Sequence, residues 1–182
     1  MTIDSLTICG LDELHGHAGA GFTHVLSILD PDWPRPSAFD AYPVHRRLQL
    51  RFHDVIDDPD PEGQEPPALA HVQRLLDFGR TFEAARLLVH CHAGISRSTA
   101  ASILLLAQAE PARGADDIVA QIVEIRPKAW PNLLMIEMGD TLLDRKGALV
   151  AATRRRHRTV AAARPDIAEM MRTYGRAREL DQ

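Results

Sequence analysis

Short apolar runs recur along the first half of the chain, each bounded by glycine, aspartate or proline. Runs of this length that are rich in aliphatic and β-branched residues are typical of buried strands. They predict strands at residues 6–9, 23–29, 47–55 and 86–90. In the third of these, apolar Leu48, Leu50 and Phe52 alternate with polar neighbours, and the pattern predicts that the strand ends near Asp54.

Longer amphipathic stretches lie between and after these runs. Apolar residues at helical spacing predict helices at residues 68–85, 96–108 and 115–125, and a fourth helix that begins at Pro131. Residues 56–67 are crowded with aspartate, proline and glycine and are predicted to form a loop. Strands that alternate with helices favour an α/β fold, with a central, mostly parallel sheet of four to five strands and helices on both faces.

The C-terminal part of the chain is helical in composition. We predict a main domain at residues 1–146 and a helical extension at residues 147–182 that packs on it or beside it. The extension carries a basic run at residues 154–158. Such a run suits an acidic or phosphorylated partner, the steering of an anionic substrate, or a solvated helix face.

The composition is that of an ordinary globular protein, with 45% hydrophobic and 25% charged residues. A formal net charge of -4 gives no global attraction to nucleic acid or to an anionic membrane, so neither is expected as a partner. No signal-peptide pattern is present, and no stretch reaches the roughly 18 apolar residues of a membrane helix. Two cysteines, Cys9 and Cys91, cannot form a disulfide framework. These features predict a cytosolic protein and leave its oligomeric state open.

The candidate chemistry lies between the fourth strand and the second helix, in the segment His-Cys-His-Ala-Gly-Ile-Ser-Arg-Ser at residues 90–98. A loop that enters a helix N-terminus gathers unpaired backbone N–H groups in one concavity, and the helix dipole adds positive potential there. Such a nest can hold a phosphate dianion. The same field favours the thiolate of Cys91 and makes it a nucleophile at neutral pH.

Three further residues of this segment have properties that phosphate chemistry needs. Arg97 can turn back over the nest and bind two phosphoryl oxygens bidentately. Gly94 permits a close backbone approach or a positive φ. Ser98 can donate a hydrogen bond to the cysteine sulfur as it leaves phosphorus. The predicted phosphate-binding residues are His92, Ala93, Gly94, Ile95, Ser96 and Arg97.

The motif His-Cys-x5-Arg-Ser resembles the signature of the protein tyrosine phosphatase superfamily, and this variant is especially similar to dual-specificity phosphatases. Residues 22–28 resemble an early strand of these enzymes, and Arg126-Pro127 followed by Pro131-Asn132 resembles a later segment. The resemblance covers roughly residues 6–142. It implies a cysteinyl-phosphate intermediate, no metal or other cofactor, and an aspartate on a separate loop as general acid.

The leaving oxygen needs a proton, and a carboxylic acid on a nearby loop commonly supplies it. The candidates that follow the third strand are Asp54, Asp57, Asp58 and Asp60. The resemblance implies a Phe-x-Asp pattern, which Phe52-His53-Asp54 matches. The stretch from Asp54 to Cys91 is several residues longer than in typical dual-specificity enzymes, so Asp57 remains an alternative. Aspartates in such loops also commonly cap turns.

Three residues near the motif keep structural alternatives. The resemblance implies that His90 orients the loop and tunes the thiolate from behind, although a histidine there also suits the scaffold. His92 either flanks the substrate or is solvated. Asn132 either corresponds to the asparagine of the similar segment or caps a helix.

Cysteine and tryptophan positions outside the motif are also open. Cys9 either packs within a strand or resolves an oxidised Cys91. Trp33 and Trp130 either line the mouth of the site or pack in the core.

These observations predict a phosphomonoester hydrolase of the cysteine-dependent protein tyrosine phosphatase type. The predicted catalytic residues are Cys91, Arg97, Asp54 and Ser98. Phosphotyrosine on a protein is the expected substrate, because the loop lacks the lysines with which similar lipid phosphatases bind additional inositol phosphates. The alternatives are a phosphoinositide, a nucleotide or an RNA 5′-phosphate, or a phospho-reader that binds without turnover.

Overall fold

A computed structural model describes residues 1–57 and 60–180 of the chain. Within these residues, one sheet has four parallel strands in the order β1-β4-β2-β3. The strands are β1 (Ile3–Cys9), β2 (His24–Leu29), β3 (Arg46–Arg51) and β4 (Ala85–His90). The predicted α/β fold with a parallel sheet is confirmed.

Strand β3 ends at Arg51, earlier than the predicted end near Asp54. Its neighbour β2 ends at Leu29, which pairs with Arg51, so no partner strand continues beyond this point. His53 N instead donates to Glu65 O at 2.8 Å. Asp54 therefore lies on a loop beyond the carboxyl edge of the sheet.

Six α-helices lie in the described part of the chain: α1 (Leu69–Arg80), α2 (Arg97–Ala109), α3 (Ala115–Ile125), α4 (Leu133–Leu142), α5 (Ala148–Ala163) and α6 (Pro165–Thr173). Helix α3 has the predicted bounds, and α4 begins just after Pro131 with Asn132 as its N-cap. Helix α1 ends before the predicted residue 85, because Ala85 already belongs to β4. None of the helices in these residues is long and apolar enough to cross a membrane.

Helices lie on both faces of the sheet, as predicted, but the helices on the two faces differ in type. On one face, apolar side chains of the strands pack with α1 and α2 in a single core. They include Leu26, Ile28, Leu50 and Leu87. On the other face, two short 3-10 helices, Leu14–Ala20 and Ser37–Ala41, pack over Val25 and Leu88.

Helix α5 packs mainly against α4 and α3, and α6 packs against α5. The basic run at residues 154–158 contributes to this packing. Arg155 pairs with Asp116 of α3 at 2.7 Å, and the buried His157 places its Nε2 3.0 Å from Pro131 O. Part of the run therefore holds α5 in place. The division of the chain into two domains stays a prediction.

Candidate active site

The loop between β4 and α2 carries the predicted nucleophile. Strand β4 ends at His90 and α2 begins at Arg97, with Ser96 as the N-cap residue. Cys91 is a free thiol, 2% exposed, and its Sγ lies 3.2 Å from Ser98 Oγ. The motif therefore has the predicted strand-loop-helix setting, and Ser98 lies within hydrogen-bonding distance of the sulfur.

Arg126 braces the outer side of this loop. Its Nε donates to Gly94 O and its Nη2 donates to Ala93 O, both at 3.0 Å. Because a trans peptide points its C=O and N–H in opposite directions, the N–H groups of Gly94 and Ile95 face away from Arg126. Glu13 holds the guanidinium through two contacts of 2.8 and 2.5 Å, and these hydrogen bonds are the main cause that lowers the pKa of Glu13 to about 2. The brace leaves the loop amides available to an anion.

Gly94 is required where the loop passes the end of β1. Its φ is +66°, and a Cβ atom there would lie 2.5 Å from the carbonyl carbon of Cys9 and 2.7 Å from Arg126 Nη2. We expect Gly94→Ala to displace the loop and weaken binding of inorganic phosphate by about tenfold or more, because the amides must converge on one point. Titration calorimetry measures this. Gly147→Ala is the matched control, since Gly147 also has a positive φ but, among the described residues, no atom of a non-neighbouring residue lies within 4 Å of its Cβ position.

In the control variant, phosphate binding should equal that of the wild type although positive φ costs some stability. Equal phosphate affinity in Gly94→Ala and the wild type would contradict the assignment of the nest.

Arg97 is buried, 3% exposed, yet incompletely satisfied. Its Nη1 donates to Asp30 Oδ1 at 2.7 Å and to Phe52 O at 2.6 Å. Its Nε has no hydrogen-bond partner among the described residues and lies 3.9 Å from Asp54 Oδ2. A buried guanidinium N–H without an acceptor is costly unless a ligand supplies one. The arrangement therefore suits an anion that arrives from solution.

Asp30 is a contact that the sequence analysis missed. Besides Arg97, its carboxylate approaches His92 Nε2 at 3.4 Å. In the sequence, the Asp30-Pro31 pair indicates only a strand boundary. One signal was present: Asp30 directly follows β2, which neighbours β4 in a parallel sheet, so the two carboxyl ends meet at the same edge.

Asp54 lies beside the loop and its carboxylate has an asymmetric environment. Oδ1 accepts hydrogen bonds from Ser96 Oγ at 2.7 Å, from Asn132 Nδ2 at 2.9 Å and from Arg176 Nη1 at 3.3 Å. Oδ2 is 3.9 Å from Arg97 Nε. Burial acts to raise the pKa of Asp54, but the charges of Arg176 and Arg97 and the two side-chain hydrogen bonds outweigh it, so this pKa lies below its ordinary value.

Asn132 caps α4, one of the two interpretations given from the sequence, and also contacts the loop that carries Asp54. Its Oδ1 accepts from Met135 N at 3.0 Å and caps α4. Its Nδ2 donates to Asp54 Oδ1 and to Val55 O, at 2.9 and 3.0 Å. The cap thereby holds the loop that carries Asp54 against the predicted phosphate-binding loop, residues 92–97.

The other described aspartates of this loop, Asp57 and Asp60, have hydrogen-bond partners different from those of Asp54. Asp57, the alternative acid, accepts a hydrogen bond from Arg178 Nε at 3.1 Å. Asp60 accepts from the backbone N–H groups of Glu62 and Gln64 and caps a turn. Asp58 lies outside the described residues.

His92 and Trp33 form an aromatic rim. Asp30 N donates to His92 Nε2 at 3.3 Å, and the rings of His92 and Trp33 meet edge to face at 4.5 Å. Trp33 is 44% exposed. Burial, followed by the charge of Arg97, lowers the pKa of His92. His92 is therefore held in place and is not freely solvated.

His90 and Trp130 are interior residues. His90 is fully buried, its Nδ1 is 3.4 Å from Cys91 O, and burial lowers its pKa to about 4. Trp130 is 2% exposed and stacks on His157 with ring centroids 4.3 Å apart. His90 therefore contacts the backbone of Cys91 from inside the core.

Cys9 is fully buried in the smaller apolar cluster beneath the two 3-10 helices. Burial raises the pKa of its thiol to about 12. Since the thiolate is the reactive form, this environment suits the packing interpretation of Cys9.

Arg176 reaches this site from the far end of the chain. Its Nη2 donates to Ser96 Oγ at 3.0 Å, and its Nη1 donates to Asp54 Oδ1, which is 122 residues away in sequence. No local sequence signal identifies Arg176.

Among the described residues, no group of three His, Cys, Asp or Glu side chains could hold a metal ion.

No protein-family model matches the chain. It is similar to dual specificity protein phosphatase 12 of Rattus norvegicus, with 37% identity over 84 residues, which are 44% of this chain and 22% of that protein. The chain therefore accounts for well under two thirds of this relative's length.

Two solved structures have a similar fold. Human DUSP28 matches with a TM-score of 0.55 and 20% identity, over 80% of this chain and 95% of that one. The human tyrosine phosphatase-like serine/threonine/tyrosine-interacting protein matches with a TM-score of 0.58 and 20% identity, over 78% and 93%. These likenesses establish the fold.

Proposed function

We propose that this chain, which has the fold of the dual-specificity phosphatases, is a cysteine-dependent phosphomonoester hydrolase. The observation that carries the proposal is the buried, unpartnered Nε of Arg97 in the same braced loop that holds Cys91. A phosphoryl group in this loop would give that N–H an acceptor and would place phosphorus near the sulfur.

In the first step, the thiolate of Cys91 attacks phosphorus, an S–P bond forms, and the bond from phosphorus to the leaving oxygen breaks. The loop amides and Arg97 bear the charge of the phosphoryl oxygens. The dianion competes with Asp30 for Arg97 and has the larger charge, so it replaces the 2.7 Å contact between them. Asp54 donates its proton to the leaving oxygen.

In the second step, water attacks phosphorus and loses a proton to Asp54 as the S–P bond breaks. The electron pair returns to sulfur as a thiolate. Ser98, 3.2 Å from Sγ, then donates a hydrogen bond to this leaving group. The ionised state that the surrounding arginines favour suits Asp54 for the role of base.

Tyrosine phosphate on a protein is the substrate class that we favour. The rim of Trp33 and His92 offers aromatic surface to an aryl phosphate. None of the loop residues between Cys91 and Arg97 is a lysine that could bind a second phosphate. A panel of phosphotyrosine peptide, phosphoinositide, nucleotide and RNA 5′-phosphate tests this choice.

The alternative function is that of a phospho-reader, a protein that binds phosphorylated peptides without hydrolysing them. Fold similarity does not distinguish such a protein from an enzyme. The intact Cys91, Arg97 and Ser98 favour a catalyst. A reader would bind phosphopeptide and show no vanadate-sensitive hydrolysis.

Asp54→Asn should lower kcat/KM for phenyl phosphate by about 10²-fold to 10³-fold, because the poor leaving group depends on a general acid. In the wild type, kcat/KM should fall as pH rises above the pKa of Asp54, since only the protonated form donates. Because that pKa is depressed, the optimum should lie on the acid side of neutrality. The measurement is a pH profile in EDTA.

Asp57→Asn is the matched control, since Asp57 lies on the same loop but contacts Arg178. It should keep the alkaline fall in kcat/KM, whereas Asp54→Asn should lack it. The reverse result would assign the acid to Asp57.

We also propose that the protein works in a reducing compartment such as the cytosol. The proposed chemistry requires a free thiol at Cys91, and both cysteines are free.

A further inference from the structure

A buried ion pair lies next to the phosphate-binding loop, in the C-terminal segment that follows α6 (residues 174–180). Arg176 is 7% exposed and Glu179 is 1% exposed. Arg176 Nη2 lies 2.7 Å from Glu179 Oε1, and its Nε lies 2.8 Å from Oε2. Glu179 also accepts from Trp130 Nε1 at 2.5 Å and from Leu133 N at 3.0 Å. Burial of both charges is costly, so these contacts fix the guanidinium at one position.

The fixed guanidinium of Arg176 lies beside Asp54, the proposed general acid. Arg176 is one of three donors to Asp54 Oδ1, together with Ser96 and Asn132. A carboxyl oxygen that accepts three hydrogen bonds cannot also carry the acidic proton without the loss of one of them. The proton therefore belongs on Oδ2, the oxygen that is 3.9 Å from Arg97 Nε and on the side of the phosphate site.

We propose that Arg176 is a positioning residue for the general acid, so that the C-terminal segment is part of the active site. Arg176 holds Asp54 Oδ1 as an acceptor and leaves Oδ2 to transfer the proton. This inference rests on the proposed function of Asp54 and deepens it.

Arg176 also contributes to the charge balance at Asp54. The charged or titratable groups that face this carboxylate are Arg97 of α2, Arg176 of the C-terminal segment and His92 of the loop, and Ser96 and Asn132 are neutral donors. Glu179 opposes the charge of Arg176 from behind. Removal of the guanidinium takes away a positive charge that favours ionised Asp54, so the pKa of Asp54 must rise.

The test is the pH dependence of kcat/KM for Arg176→Met with two substrates, phenyl phosphate and p-nitrophenyl phosphate. The alkaline fall in kcat/KM should move to higher pH. The plateau for phenyl phosphate should drop about tenfold to 100-fold, because its poor leaving group needs a well-placed acid. p-Nitrophenyl phosphate, with a good leaving group, should lose much less.

Arg176→Lys keeps the charge and should leave the alkaline fall near its wild-type pH. Arg172→Met is the control, since Arg172 lies on α6 in an exposed pair with Glu169. If Arg176→Met does not fold, Arg176→Gln retains a polar donor in the buried site and should show the same upward shift.

An unchanged alkaline fall and equal losses on both substrates, in a folded Arg176→Met or Arg176→Gln variant, would overturn the inference. That result would leave the proposed function intact if Asp54→Asn still removes the fall. An inactive wild type would instead refute the proposed function itself.

Discussion

Replacement of Cys91 with serine should reduce hydrolysis of p-nitrophenyl phosphate by about 10⁴-fold or more, to near the detection limit. The serine hydroxyl is protonated at neutral pH and is a far weaker nucleophile than a thiolate in the same field. Among residues 1–57 and 60–180, the structure shows no base in contact with Cys91 Sγ that could activate a serine hydroxyl at this position. The hydrogen-bond partner of Cys91 Sγ is Ser98. Steady-state assays in EDTA measure the loss.

Cys9→Ala is the matched control for this variant, because Cys9 is the other cysteine and is fully buried. It should retain activity close to that of the wild type even if its stability falls. Vanadate binding should persist in Cys91→Ser, because the nest of amides and Arg97 are unchanged. Substantial turnover by Cys91→Ser would mean that another group attacks phosphorus.

Arg97→Lys should lower kcat/KM by about 10³-fold although it preserves the charge. A lysine ammonium is a point charge and cannot bind two phosphoryl oxygens with the fixed fork of a guanidinium. It also cannot replace the contacts that Nη1 makes to Asp30 and Phe52, at 2.7 and 2.6 Å. We expect loss in both kcat and phosphate affinity, measured by steady-state kinetics and by inhibition with inorganic phosphate.

Arg155→Lys provides the comparison, because Arg155 also pairs with a carboxylate, that of Asp116, but on the surface. It should leave kcat/KM unchanged. If Arg97→Lys were equally harmless, Arg97 would not bind the transferred group.

The central unit of the site could be predicted because its signals are local. The apolar run of β4, the glycine at position 94 and the helical spacing after Ser96 all lie in one short segment. The order of strands and helices then sufficed for the parallel sheet. The end of β3 could not be predicted in the same way, because it depends on where the neighbouring strand β2 stops.

Residues that support the loop from a distance were missed. Asp30 contacts Arg97 across 67 residues, and Glu13 contacts Arg126 across 113. Neither contact produces a periodicity or a motif, since it depends on how the strands and loops are brought together. Arg176 is the strongest example, because its contact with Asp54 spans 122 residues and the sequence predicts only a helical extension at residues 147–182.

The tryptophans and the aspartates after β3 show that tertiary contacts distinguish residues whose locations the sequence alone does not. Trp33 lies exposed on the rim against His92, whereas Trp130 is buried against His157. Among the aspartates after β3, Asp54 meets the phosphate-binding loop and Asp57 turns to Arg178. In both cases the difference arises from partners that lie far away in sequence.

Rapid-quench mass spectrometry of the enzyme during turnover of p-nitrophenyl phosphate would detect the proposed cysteinyl-phosphate intermediate itself. We expect a burst of p-nitrophenol and one phosphoryl group on the peptide that contains Cys91, absent from Cys91→Ser. Turnover without any phosphorylated Cys91 peptide and without a burst, at the shortest times, would contradict a cysteinyl-phosphate mechanism.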